Sequence, residues 1–162
     1  MKTIRFIATL IMCFLISNCA VLRPPSIVKN EALENYRFIY ISPTKSLSSS
    51  SGATIGGQYY SSGRSVNPSD VITGILTKEG FIALPELRLE LTDQTMIINY
   101  GESGRRFVAG GLGGYTIEVT IQFISAKSLT LICSCTAEGQ GSTEADDIRE
   151  AITRCLSGVL SK

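Results

Sequence analysis

The order of hydrophobic patterns along this chain predicts an α+β fold, a two-layer sandwich with a mostly antiparallel or mixed sheet of about five strands and two helices on one face. Three stretches carry that expectation. YTIEVTIQFI and LTLICSCTA alternate apolar and polar residues in neighbouring segments, the period of paired strands. NPSDVITGILTKEG reads as a helix with matched ends. DDIREAITRCLSGVL places Ile148, Ala151, Ile152, Cys155, Leu156 and Val159 on one helical stripe near the end of the chain.

Taken in order, YRFIYIS gives a first strand starting near Tyr36, apolar on both faces and therefore central. The Ser- and Gly-rich stretch PTKSLSSSSGATIGGQYYSSGRSV has no period and reads as a long loop. The first helix has Asn67 as N-cap, Pro68 at its first position, Asp70 near the positive end of the dipole and Gly80 as its stop. FIALPEL and TMIINYG are short strands, and ESGRRFVAGGLGG is a Gly-rich turn region. The two long strands follow as a hairpin through Ser125, Ala126, Lys127 and Ser128, with Ile117, Val119, Ile121 and Phe123 facing inward. Ser142 or Thr143 caps the last helix, and Glu144, Asp146 and Asp147 complement its dipole.

Composition narrows the functional classes. Fifteen Lys and Arg stand against 14 Asp and Glu, for a net charge of +1, and the basic residues are scattered. That is not the basic footprint of a nucleic-acid binder, so no nucleic-acid partner is expected. The chain contains no histidine and no tryptophan. A Ser-His-Asp triad is therefore excluded and the commonest metal ligand is missing. No motif calls for a cofactor, and the expectation is a non-enzyme.

The N-terminus reads as a leader. Lys2 and Arg5 precede an apolar run from Phe6 to Ile16, far short of the roughly 20 residues needed to span a bilayer. Ile16-Ser17-Asn18-Cys19 then resembles the lipobox of bacterial lipoproteins, with Asn18 standing where Gly or Ala is preferred. The resemblance implies that residues 1–18 are a signal peptide and that Cys19 carries diacylglycerol as the first mature residue. Each buried methylene adds about 0.8 kcal/mol of membrane affinity, so two or three acyl chains hold a protein durably. Residues 19–35 would then be the lipidated cysteine and a Pro-bearing tether, and 36–162 a single α+β domain. Cleavage after Ala20, giving a soluble periplasmic or secreted protein, is the alternative.

Of five cysteines, Cys13 leaves with the leader and Cys19 is used by lipid. Cys133 and Cys135 alternate onto one strand face and Cys155 lies on the helical stripe, so all three point into one core. Small buried hydrophobes are the preferred reading. A disulfide from Cys155 to either strand cysteine is the alternative in an oxidising envelope. A zinc site would lack a fourth ligand, so no metal is expected.

The ending YTIEVTIQFISAKSLTLICSCTAEGQGSTEADDIREAITRCLSGVL resembles the C-terminal half of the DUF4136-type bacterial envelope lipoproteins. There an alternating strand is followed by Asp-Ala-Lys, a second strand and an acidic-capped helix; here Ser125-Ala126-Lys127 occupies the turn. The helix from Val66 to Gly80 followed by FIALPEL is similar to that family's earlier element. A weaker similarity is to small lipopolysaccharide-assembly and curli-secretion lipoproteins. These resemblances imply a lipid-anchored envelope protein with no assigned catalytic activity. Ala20 after Cys19 points to outer-membrane delivery under the enterobacterial sorting rule.

The remaining candidates for a ligand site are few. GESGRRFVAGGLGG lacks the Gly-Lys-Ser/Thr ending of a phosphate loop and precedes a strand, so it fails that test. Tyr59 and Tyr60, flanked by Gly and Ser, have the composition of adaptable binding surfaces. Arg64, Arg105 and Arg106 are suited to phosphates or sugar acids. The expected function is a scaffolding or protein-interaction module whose partner is an envelope protein. The alternative is a glycan- or envelope-polymer-binding module using loops 46–66 and 101–114. The leader reading predicts that the N-terminal peptide from the membrane fraction begins at Cys19 with added acyl mass, and that Cys19→Ala abolishes that mass. A start at Val21 without lipid would instead establish the soluble alternative.

Overall fold

The most strictly alternating segments of the chain become the centre of the sheet. The computed structural model describes residues 22–55, 58–108 and 114–161, so the leader and Cys19 lie outside the described residues. In chain order the strands are β1 (Ser26–Lys29), β2 (Phe38–Ile41), β3 (Leu47–Ile55), β4 (Gln58–Val66), β5 (Ile82–Ala83), β6 (Thr95–Phe107), β7 (Tyr115–Ser125) and β8 (Leu131–Gly139). Helix α1 spans Pro68–Lys78 and helix α2 spans Glu144–Leu160. Short 3-10 turns lie at Leu33–Asn35 and Leu89–Gln94.

The fold is α+β, as the patterning predicts. Six strands form one mixed sheet in the order β1-β8-β7-β6-β2-β5, and β3 and β4 form a separate two-stranded sheet. β6, β7, β8 and β1 are antiparallel neighbours, whereas β2 runs parallel to both β5 and β6. Both helices pack on one face, where Ile117, Val119, Ile121 and Phe123 of β7 meet Ile148, Ile152 and Leu156 of α2 and Ile72 and Leu76 of α1 in one core. The opposite face carries Thr120, Gln122, Ser134 and Thr136, and the Thr120 and Thr136 hydroxyls share a hydrogen bond of 2.9 Å.

Both helix starts follow from their capping residues. The Asn67 side chain accepts from the Ser69 amide, and Thr44 reinforces the cap from outside the helix, its hydroxyl donating to Asn67 at 2.6 Å. Thr143 is the cap of α2, accepting from the Asp146 amide. Gly80 follows α1 with a φ of +96°, a left-handed conformation that a Cβ would strain.

Four sequence expectations need correction. Part of the spacer expected over 20–35 belongs to the domain, because Ser26–Lys29 pair with β8 in register Ile27↔Cys135, making β1 an edge of the sheet. The long loop is a regular hairpin, β3 against β4, paired from Leu47↔Val66 to Ile55↔Gln58. Ser and Gly carry little strand preference of their own; Val66, buried in the core, ties the hairpin down instead. The Gly-rich turn region is also mostly strand, since β6 continues to Phe107 through a bulge at Ser103. Finally, Cys135 and Cys155 form a disulfide, with Cα atoms 5.6 Å apart, and Cys133 alone remains a free buried thiol. The preferred reading of three unbonded cysteines therefore holds for Cys133 only. The bridge closes a separation of 20 residues, worth about 3 kcal/mol in a chain-entropy account.

Helix and sheet approach most closely at Gly139. A Cβ there would lie 1.9 Å from the Asp147 carbonyl oxygen and 2.6 Å from the Ala151 amide nitrogen. Both are helix backbone and cannot move aside. Gly139→Ala is expected to cost about 3 kcal/mol or more, at the upper end of overpacking effects. Gly63→Ala, where a Cβ meets nothing within 4 Å, should shift stability by less than about 1 kcal/mol; urea unfolding of the two variants checks the contrast.

Candidate functional site

The arginines singled out in the sequence converge on the start of α2, but as partners of its carboxylates. Arg64 of β4 donates from Nη1 to Asp146 Oδ1 at 2.8 Å. Arg105 of β6 donates from Nη2 to Glu144 Oε1 at 2.5 Å, and its guanidinium lies 5.2 Å from the Tyr115 ring centroid. Ser49 of β3 accepts from the Ala145 amide at 3.1 Å, one of the first-turn groups that has no partner inside the helix. Helix start, hairpin and β6 are thus tied together by polar contacts.

Arg106 goes elsewhere. Successive residues of a strand face opposite sides, and Arg106 emerges on the face that no main helix covers. There it grips Glu138 with two parallel bonds, Nε to Oε1 at 2.8 Å and Nη2 to Oε2 at 2.6 Å. The expected three-arginine cluster is therefore split. Arg64 and Arg105 share the α2 start, Arg106 lies across the sheet, and all three are paired with carboxylates of the domain itself. Tyr59 and Tyr60 are consecutive positions of β4, opposite Thr54 and Ala53; their side chains lie outside the described residues. Cys19, too, lies outside them.

Sequence reading missed the most constrained acid in the molecule. Glu138 is 3% exposed. Besides Arg106 it accepts from the backbone amide of Arg23 at 3.0 Å, and the Arg23 guanidinium is 3.7 Å away. Arg154 of α2 donates to the Glu138 carbonyl oxygen and, at 2.8 Å, to the Arg23 carbonyl. Alternation placed Glu138 on the open face of β8, and nothing local signalled that three guanidinium groups from distant positions would gather there. A cleft of about 330 Å³ opens at this point, lined by Arg23, Gly104, Arg105, Arg106, Glu118 and Glu138. Among the described residues, no group of three or more Cys, Asp or Glu is arranged to hold a metal ion.

Two acids have their pKa moved in opposite directions. The Arg106 hydrogen bonds hold the Glu138 carboxyl down at about 2, against the penalty of its burial. Asp147, buried near the start of α2, is pushed above the ordinary carboxylate range by desolvation, offset in part by the Gly141 amide that donates to it.

No family model matches the chain, and no curated protein matches it; the DUF4136 resemblance thus rests on leader and element order alone. Among solved structures, the chain is similar to a PelC dodecamer from Paraburkholderia phytofirmans, at 13% identity and a TM-score of 0.50, covering 85% of this chain and 97% of that one. It is also similar to a PDZ domain protein from Parabacteroides distasonis, at 10% identity and a TM-score of 0.48, covering 88% of this chain and 36% of that one. At 13% identity the first likeness establishes a shared fold and nothing more.

The Glu138 clamp yields a pH test. Its folded value is depressed, so its contribution is complete above the ordinary carboxylate value of 4.5 and is lost as pH falls from there towards about 2. Glu138→Gln should flatten the fall in unfolding free energy across that window. Denaturant titrations at pH 2.5, 3.5, 4.5 and 6 would measure it; an unchanged slope would show that Glu138 is not held as described.

Proposed function

We propose that this protein is a lipid-anchored, non-enzymatic component of the bacterial cell envelope, acting at the outer membrane as a scaffolding or assembly module. The observation that carries this reading is that Arg64, Arg105 and Arg106 are all occupied by carboxylates of the domain, Asp146, Glu144 and Glu138. An anionic glycan would have to displace those partners, and at Arg106 it would leave the buried Glu138 unpaired. Free surface of another kind is available. The β1 edge and the Thr- and Ser-bearing sheet face can receive a protein strand or surface.

Two further points support the envelope reading. The leader has the form of a lipoprotein signal peptide, and the Cys135–Cys155 disulfide suits an oxidising compartment. The chain shares the fold of a protein solved as a dodecamer, so self-association is the first assembly to look for. The protein extracted from membranes with its native N-terminus is expected to show a native mass of several copies, or to bring envelope proteins with it. Replacing Tyr59, Tyr60 and Arg64 by Ala, with folding checked by circular dichroism, should leave mass and partners unchanged. Specific retention on isolated envelope polymer that those substitutions abolish would favour the glycan-binding reading instead.

A further inference from the structure

Arg23, near the start of the described residues, is held on both sides. Its amide donates to Glu138 at 3.0 Å and its carbonyl accepts from Arg154 at 2.8 Å. With a lipid on Cys19, the chain from there to Arg23 spans at most about 14 Å when fully extended. The domain cannot stand far off the bilayer, and one corner of it must lie closest. That corner is where Arg23 meets the end of β6.

Phe107, one residue beyond Arg106, is 74% exposed. The Arg23 side chain is 67% exposed, its carboxylate partner being already gripped in two places by Arg106. Three guanidinium groups, those of Arg23, Arg106 and Arg154, gather around Glu138, with Glu118 the other carboxylate lining the cleft. The charge there is net positive. Exposed apolar rings such as Phe bury at the boundary between headgroups and acyl chains while basic side chains stay at the headgroups, and basic groups beside a lipid anchor supply a second membrane signal.

We infer that this corner is a membrane-contact surface, with Arg23 against lipid phosphate and Phe107 at the boundary of headgroups and acyl chains, so that the domain is held in one orientation rather than swinging on its anchor. The inference rests on the lipid-anchored reading above. The opposite end of the sheet, where Leu129 is 72% exposed in the β7–β8 turn, then points away from the bilayer, about 33 Å from Phe107 along β7.

The chain contains no tryptophan, so a single introduced indole reports its own depth. Phe107→Trp and Leu129→Trp proteins, purified from membranes with the native N-terminus, are returned to phosphatidylethanolamine–phosphatidylglycerol vesicles with brominated acyl chains. The acyl mass of each preparation is read beforehand. Quenching severalfold greater for Phe107→Trp than for Leu129→Trp is expected. A lipidated protein quenched equally weakly at both positions, or more strongly at Leu129→Trp, overturns the contact surface and leaves the anchor standing. A protein without acyl mass that still binds vesicles and is quenched at Phe107→Trp supports the surface while removing the anchor. One without acyl mass that does not bind overturns both.

Discussion

Helix α2 lies so close to β8 that a single methyl group at Gly139 would strike its backbone, and the arrangement of the remaining parts depends on that contact. Seating the helix there buries Ile148, Ala151, Ile152, Cys155, Leu156 and Val159 against the central strands and brings Cys155 within bonding reach of Cys135. Fully burying a Leu or Ile side chain contributes about 1.5–3 kcal/mol. The helix stripe therefore supplies a large part of the cohesion between the two layers. The disulfide adds a covalent tie at the middle of the same surface.

The same placement explains why the polar residues are where they are. The N-terminal turn of α2 presents Glu144 and Asp146 at the rim of the sheet, where Arg105 and Arg64 meet them. These pairs lie at a helix end whose partial positive charge already favours acids, and being exposed they fix geometry more than they add stability. Further along the helix, Arg154 reaches round to the entering chain and to β8. One element thus organises the hairpin, the end of β6 and the first residues of the domain.

Glu138 is the counterpart of that organisation on the other face. A carboxylate so little exposed is tolerated because two-point contact with Arg106 and a backbone amide replace the water it loses. Its burial is in turn produced by the groups that bind it, since Arg23 and Arg106 lie over it. A charge network of this kind holds the N-terminal segment of the described domain in one place.

How much of this was legible in the sequence can be argued element by element. The β7–β8 hairpin, both main helices and their caps, and the α+β class were readable because each rests on local periodicity or on a single capping side chain. The Ser-rich hairpin and the edge strand β1 were not, since their strand character comes from a partner rather than from their own residues. The same reason separates the candidate site from the site found. Residue type marked Arg64, Arg105 and Arg106 as anion binders. Only the tertiary structure decided which anions they bind, because Asp146, Glu144 and Glu138 lie 82, 39 and 32 residues away along the chain. The sequence by itself determined the two helices, the β7–β8 hairpin and their apolar faces; the Ser-rich hairpin and β1, the pairing between distant charges and the choice of one disulfide among three cysteines depend on distances that exist only once those faces have been buried together.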